Sequence, residues 1–289
     1  MIRVLAIVFS MIINLAIWGT AVLVGGLFKL LTFGEARRRV ILKLSSLADR
    51  WVAGNDRIFD QFLDTKWEIT GLDDLDPEAH YLVIANHVSW VDIFAVLRAF
   101  HGKTAFIRFF LKHVLIWSPI VGQACWALEF PFMRRYSPEY LKEHPEKRGS
   151  DLETTRRFCQ RYRRIPVAIL NFVEGTRFTR EKHEDQQSPY RFLLRPRVGG
   201  ISFVLASLGD QLDALVDVTL VYPRRDVTMW TFVTNRVPWI RVHARKLAIP
   251  PQFGDAAVTE PGPAREELKG WVEQIWTEKD AAIATILGK

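Results

Sequence analysis

Cysteine is scarce in this chain: Cys125 and Cys159 are the only two in 289 residues, and they form no CxxC pair. That argues against a disulfide framework and against a zinc finger or ribbon. The histidines His80, His101, His113, His144, His183 and His243 show no paired metal-ligand spacing, so no metal is expected. Internal repeats and low-complexity tracts are missing too. The net charge of +7 favours partners that carry phosphate. Arg and Lys are nevertheless spread along the chain without a recognition motif, which argues against nucleic acid as a partner.

Charge itself is absent from Val4 to Phe28. As a helix this run of about 25 residues would be roughly 37 Å long, enough for a hydrocarbon core of ~30 Å. It exceeds the h-region of a signal peptide and ends in no small-x-small cleavage site. Lys29, Arg37, Arg38, Arg39 and Lys43 follow closely. These features predict an uncleaved anchor in membrane phospholipid, with the catalytic domain on the cytoplasmic side by the positive-inside rule. Asn14, Gly19 and the Gly25-Gly26 pair would permit a break into two shorter helices, so a re-entrant anchor is the alternative. The expected organisation is residues 1–62 as anchor and amphipathic helices, then residues 63–289 as the catalytic domain.

Hydrophobic spacing predicts strands at Trp67–Gly71, Tyr81–Ala85, Ile165–Val173 and Ala214–Tyr222. Helices are expected at Asp92–Phe100, Phe109–Trp117, Gly199–Leu208 and Pro263–Leu287. A further helix should open on the capping box of Ser150 and Glu153. Extended segments are expected at Thr104–Ile107, Trp126–Phe132, Trp230–Val233 and Ile240–Lys246. This alternation points to an α/β fold, with a largely parallel central sheet flanked by helices behind an N-terminal hydrophobic membrane anchor. In such sheets ligand sites lie beyond the carboxyl ends of strands.

Two segments sit at such ends. Asn86-His87-Val88-Ser89-Trp90-Val91-Asp92 puts a histidine at a strand end and an aspartate at the opening of the next helix. A carboxylate on one imidazole nitrogen leaves the other free as a base that can activate an alcohol near neutral pH. By itself such a pair is more often a helix cap with a first-turn acid. The second segment, Glu174-Gly175-Thr176-Arg177, follows an apolar strand. Its guanidinium can grip a phosphate bidentately, although an Arg paired with Glu174 on a surface turn would look the same.

Taken together, in this order and spacing, Asn86-His87 with four residues before Asp92 and then Phe172-Val173-Glu174-Gly175-Thr176-Arg177 resemble the 1-acylglycerol-3-phosphate acyltransferase family. The likeness runs from about Trp67 to Pro223 and includes Lys112, Pro119, Gly122 and Phe132 to Arg134. The final block is matched loosely by Val218 to Pro223. The resemblance implies that His87 is the general base, that Asp92 orients it, and that Glu174, Gly175, Thr176 and Arg177 bind the glycerol phosphate. Lys112 and Arg134, with Arg135 beside it, are further candidates for phosphate contact, although lone basic residues are usually solvated.

The implied reaction is acyl transfer from an acyl thioester to the free hydroxyl of 1-acyl-sn-glycerol-3-phosphate, giving phosphatidic acid. Acyl-CoA or acyl carrier protein would be the donor substrate, with no further cofactor. The Leu-Glu-Phe-Pro-Phe-Met-Arg-Arg stretch and the Trp276 to Asp280 segment look like the lysocardiolipin and lysophosphatidylinositol acyltransferase branch. The headgroup of the lysophospholipid acceptor is therefore open. From another class, a catalytically silent membrane protein that binds lipid would share the anchor and the basic surface.

Overall fold

The computed structural model describes residues 1–134, 136, 138–147 and 149–289. A six-stranded sheet forms the centre. Its strands are β1 (Lys66–Thr70), β2 (Tyr81–Ala85), β3 (Ile107–Phe109), β6 (Ala168–Phe172), β7 (Ala214–Val221) and β8 (Trp239–Leu247). Their order across the sheet is β1-β8-β7-β2-β6-β3. The four strands β7, β2, β6 and β3 are mutually parallel, while β8 runs antiparallel to β7 and pairs in parallel with β1. A second, two-stranded sheet joins β4 (Leu111–Lys112) to β5 (Phe132–Met133).

Strand β2 shows why the sheet sits between two helical layers. Its five residues are all buried, as a central strand covered on both faces must be. Alternate side chains point to opposite faces. Tyr81, Val83 and Ala85 enter one core with residues of α1 (Ile2–Lys29), α2 (Gly34–Phe62) and α3 (Val91–Phe100). Leu82 and Ile84 enter the other with residues of α6 (Ser150–Tyr162), α8 (Gly199–Leu208) and α10 (Pro263–Leu287). Strand β7 adds a charged cluster to this second core. Asp217 accepts from Arg245 (2.8 Å) and pairs with Lys279 (2.6 Å), and Asp217 and Lys279 are wholly buried.

Helix α1 is continuous rather than broken at its small residues, which are points of close packing instead. Gly25 faces Leu44 and Gly26 faces Ala127, while a Cβ added at Gly54 of α2 would sit 2.2 Å from Asn14 Oδ1. Arg3 donates to Phe62 O and Asp64, Asn14 donates to Trp51 O (2.9 Å) and Asn55 Oδ1 (3.1 Å), and Lys29 and Arg37 both pair with Glu129. These contacts fix α1 antiparallel along α2. It is the one helix among the described residues long and apolar enough to cross a membrane, with mean hydropathy 2.2 in its 18-residue window.

Four local expectations need correction. Phe109–Trp117 is not a helix: β4 leaves it to pair with β5, and a 3-10 turn covers His113–Trp117. Trp126–Phe132 is not a strand, because Trp126 and Ala127 close α4 (Val121–Ala127) and only Phe132 is extended. Trp230–Val233 belongs to α9 (Met229–Val233), opened by a capping box between Thr228 and Thr231. The box expected at Ser150 does not form: Ser150 is already helical, after Gly149 in the left-handed region, and no side chain caps the helix.

Candidate active site

The carboxyl ends of β2, β6 and β7 lie side by side, and each delivers part of one site. After β2 the chain turns through Asn86 and His87 into α3. Asn86 locks the turn to β7, donating to Leu220 O (3.0 Å) and accepting from Leu220 N–H (2.8 Å). His87 is stacked on Phe172 at the end of β6, with ring centroids 4.0 Å apart.

Asp92, in the first turn of α3, is completely buried and accepts four hydrogen bonds. Oδ2 accepts from His87 Nδ1 (2.8 Å), Val88 N–H (2.6 Å) and Ser89 N–H (2.9 Å), and Oδ1 accepts from the Tyr222 hydroxyl (2.6 Å). Two of the four donors are backbone N–H groups at a helix N-terminus, a setting that suits a carboxylate. Burial, reinforced by the charge of Asp92, raises the Tyr222 phenol well above its ordinary range, so the hydroxyl stays a donor. With Nδ1 donating to Asp92, Nε2 is left as the acceptor nitrogen, and no described residue bonds to it.

Glu174 departs from its expected place against substrate. Its side chain turns inward, 1% exposed, where one oxygen accepts from His87 N–H (3.3 Å) and the other from Leu194 N–H (3.2 Å). Burial pushes its carboxyl up to about 8, against the lowering effect of those two bonds. Its position braces the backbone of His87. Gly175 takes φ +69°, where a Cβ would also press on Arg197. Thr176 accepts from Lys182 Nζ (2.8 Å) through its hydroxyl, and Arg177 lies over the Trp90 ring at 5.0 Å.

Beside the histidine opens a cavity of about 1010 Å³, lined among others by Ser89, Trp90, Arg177, Phe178, Lys182 and Arg225. Phe178 N–H donates to His87 O (2.7 Å), so this wall is tied to the histidine itself. Lys112, exposed on β4, and Arg134, whose backbone N–H bonds Asp151, are not among the residues lining the cavity. Arg135 lies outside the described residues. His183 lines the cavity but is bonded to Tyr190 O. Among the described residues no group of His, Cys, Asp or Glu could hold a metal.

Sequence reasoning missed Tyr222, Phe172, Trp90 and Arg225. Tyr222 had a signal, since it ends a buried strand that neighbours β2. Phe172 and Trp90 lay within the two segments singled out above but were given no role, and Arg225 had no signal, because nothing in a linear pattern says which loops meet across a sheet.

Comparison with known proteins shows the family. The Acyltransferase family model matches residues 66–222, and the chain belongs to that family. Lysocardiolipin acyltransferase 1 of Danio rerio is 26% identical over 283 residues, covering 92% of this chain and 66% of that protein. A probable 1-acyl-sn-glycerol-3-phosphate acyltransferase 5 of Arabidopsis thaliana is 27% identical over 250 residues, 78% of this chain and 63% of the relative. The crystal structure of the 1-acyl-sn-glycerophosphate acyltransferase PlsC from Thermotoga maritima shares the fold, with TM-score 0.59 and 16% identity over 100% of this chain and 96% of that one. The chain spans 59–66% of the length of the first curated relatives it matches.

Proposed function

We propose that the protein transfers a fatty acyl group from an acyl thioester to the free hydroxyl of a lysophospholipid, with 1-acyl-sn-glycerol-3-phosphate as the first acceptor. One observation carries this reading: His87 presents a free Nε2 beside a basic cavity while its Nδ1 is fixed on a buried carboxylate. In the reaction Nε2 takes the proton of the acceptor hydroxyl as its oxygen attacks the thioester carbonyl. Asp92 stabilises the imidazolium that forms. When the tetrahedral intermediate collapses, the C–S bond breaks and the imidazolium returns its proton to the departing thiolate. The attacking hydroxyl belongs to the substrate, so no serine or cysteine nucleophile is needed. Arg177 holds the acceptor phosphate.

A second acceptor reading has support in the cavity, which at about 1010 Å³ exceeds what a glycerol phosphate fills, and in the relatives named for lysocardiolipin. Under it the same chemistry remodels a lysophospholipid with a larger headgroup.

The membrane reading rests on the unburied side of α1, where Leu5, Phe9, Ile12, Ile17, Val24 and Phe28 are exposed. Helix α2 lies antiparallel along α1 and carries Arg39, Lys43, Arg50 and Arg57 outward. A spanning α1 would drag those charges into hydrocarbon, so we place the pair in one leaflet, with the catalytic domain on the cytoplasmic side. Protease added outside sealed inverted vesicles should then cut the domain, and protection would refute the placement.

The decisive assay is acyl transfer by detergent-purified protein from labelled acyl-CoA or acyl carrier protein to a panel of lysophospholipids, with folded His87→Ala alongside. Product that vanishes in the variant is expected. Folded wild type that makes none from either donor would favour a silent lipid-binding protein.

A further inference from the structure

The cavity beside His87 holds two arginines kept in unusual company. The other basic side chains around it have partners of their own: Arg180 pairs with Glu184 (3.1 Å), Lys182 donates to Thr176 Oγ1 (2.8 Å) and Arg177 O (3.2 Å), and Arg224, just outside, pairs with Asp226. Those pairs engage the two acids that line the cavity, Glu184 and Asp226. Arg177 and Arg225 have no carboxylate within ion-pair distance among the described residues. Each is held by aromatic faces instead. Arg177 lies over Trp90, and Arg225 lies over Phe178 (4.8 Å) and Phe192 (4.9 Å) while donating to Arg191 O (2.8 Å).

An aromatic face orients a guanidinium without using its in-plane N–H donors. Of the five donors of Arg225, one hydrogen bond is recorded, so the fork stays available at the cavity wall. Like charges crowd it as well. Burial lowers its affinity for the proton, and the nearby Arg191 and Arg180 add to that effect against the opposing influence of Asp280. Asp280 is the largest of these charge effects, yet it makes no ion pair with Arg225, since its two oxygens accept from the backbone N–H groups of Arg191 and Phe192. Crowded cations with free donors in a cavity are an arrangement that a bound anion relieves.

We propose that Arg225 is a second phosphate-binding residue of this cleft, in addition to Arg177, and that it takes a phosphate group of the substrates. Two sources share this chemistry: the headgroup of the lysophospholipid and the phosphates of a coenzyme A donor. Phe178 gives the site its registration, since the ring under Arg225 belongs to the residue whose N–H is bonded to His87 O. A phosphate on Arg225 is thereby held at a fixed offset from the reacting nitrogen. The assignment of substrate rests on the acyl-transfer reading, while the anion site itself does not.

The test separates the two. Full-length protein is titrated calorimetrically with inorganic pyrophosphate, comparing wild type with Arg225→Gln, Arg225→Lys, Arg177→Gln and, as a remote control on α2, Arg57→Gln. Binding should weaken about 10- to 100-fold in Arg225→Gln and Arg177→Gln, partly recover in Arg225→Lys, and stay unchanged in Arg57→Gln. In the transfer assay Arg225→Gln should raise KM by a similar factor and leave kcat within about threefold. If that rise disappears when the donor is an acyl-pantetheine lacking the nucleotide, the phosphate is the donor's. If it persists, the phosphate is the acceptor's. Pyrophosphate binding that is absent in wild type, or equal in wild type and Arg225→Gln, overturns the proposal. So does an Arg225→Lys variant as weak as Arg225→Gln with melting lowered in both, which would mean the side chain only packs. A wild type that binds pyrophosphate but transfers no acyl group sinks the acyl-transfer reading and leaves Arg225 assigned.

Discussion

Asp92→Asn is the substitution whose outcome the geometry defines most narrowly. Four donors converge on the carboxylate, and three of them meet at Oδ2: the Nδ1–H of His87 and the backbone N–H groups of Val88 and Ser89. Backbone donors cannot turn away, so an asparagine must place its carbonyl oxygen there. Its amide then faces the Tyr222 hydroxyl, which can rotate from donor to acceptor. In that orientation the histidine keeps its tautomer and its aim, and what disappears is the negative charge opposite the imidazolium. The reversed orientation would force the proton onto Nε2 and cost about 10⁴ in rate, as tautomer inversion does in hydrolase triads. Loss of one charge-assisted contact in a preorganised site costs about 10²–10³, or roughly 3–4 kcal/mol of barrier. The expected result is therefore kcat reduced about 10²–10³-fold in a normally folded variant. Steady-state rates measure this. Activity within about fivefold of wild type would refute the role given to Asp92.

Glu174 predicts how stability follows pH. Its carboxyl rises from the ordinary 4.5 to about 8 in the folded chain, so between those values the native state binds more protons than the unfolded one. Its contribution is full below about pH 4.5 and is lost by about pH 8; melting temperature should fall over this window, and the fall should be shallower in Glu174→Gln. At pH 5 that variant should be less stable by about 1–3 kcal/mol, because an amide NH₂ cannot accept from the N–H of His87 or Leu194; a variant with unchanged slope would contradict the assignment. Lys279→Met removes a buried ammonium bonded to Asp217, Val218 O and Thr219 but leaves Asp217 paired with Arg245, and should cost about 1–3 kcal/mol in urea unfolding. Lys279→Met with Asp217→Leu should recover much of that loss, and a double variant weaker than the single would exclude this account. Gly54→Ala puts a methyl group into Asn14 and should loosen α1 from α2, lowering stability by about 1–3 kcal/mol and speeding proteolysis in the helix pair; equal digestion rates would deny the close packing.

Where one physical signal dominated, the sequence was readable. Tyr81–Ala85, Gly199–Leu208 and Pro263–Leu287 fold as read: the first is a wholly buried apolar run, the second an apolar helix opened by a Gly pair, and the third starts at a Pro. The segment matched by the family, 66–222, coincides almost residue for residue with the likeness seen from Trp67 to Pro223. Trp126–Phe132 failed because a short apolar run fits helix or strand equally, and neighbours decide. Trp230–Val233 failed because aromatic β-formers outweighed a Thr-x-x-Thr cap that was visible at Thr228 and Thr231. At the site, His87 and Asp92 were legible as a local pair. Glu174 was legible as a residue of interest but not as a buried brace, since the direction of a side chain at a strand end depends on what lies behind it. Here that is Leu194, twenty residues on.

The arrangement explains why residues so far apart in sequence act on one imidazole. In a parallel sheet ordered β7-β2-β6, the strand bearing the histidine lies between the two others, and all three end on the same edge. Each neighbour then contributes one tie. From β7, Leu220 locks Asn86 and Tyr222 completes Asp92; from β6, Phe172 supports the ring and Glu174 accepts from the backbone of His87. Glu174 is steadied in turn by Leu194, whose carbonyl accepts from Trp276 of α10, while Asp280 on the same helix caps Arg191 and Phe192. The last helix thus reaches the histidine through three hydrogen bonds, by way of Leu194 and Glu174, and lines no part of the cavity near it. The base role proposed for His87 requires close alignment with a hydroxyl, which such a second layer supplies. The Trp276 to Asp280 segment is in this sense part of the site: it sets where Glu174 sits, and Glu174 sets where His87 points.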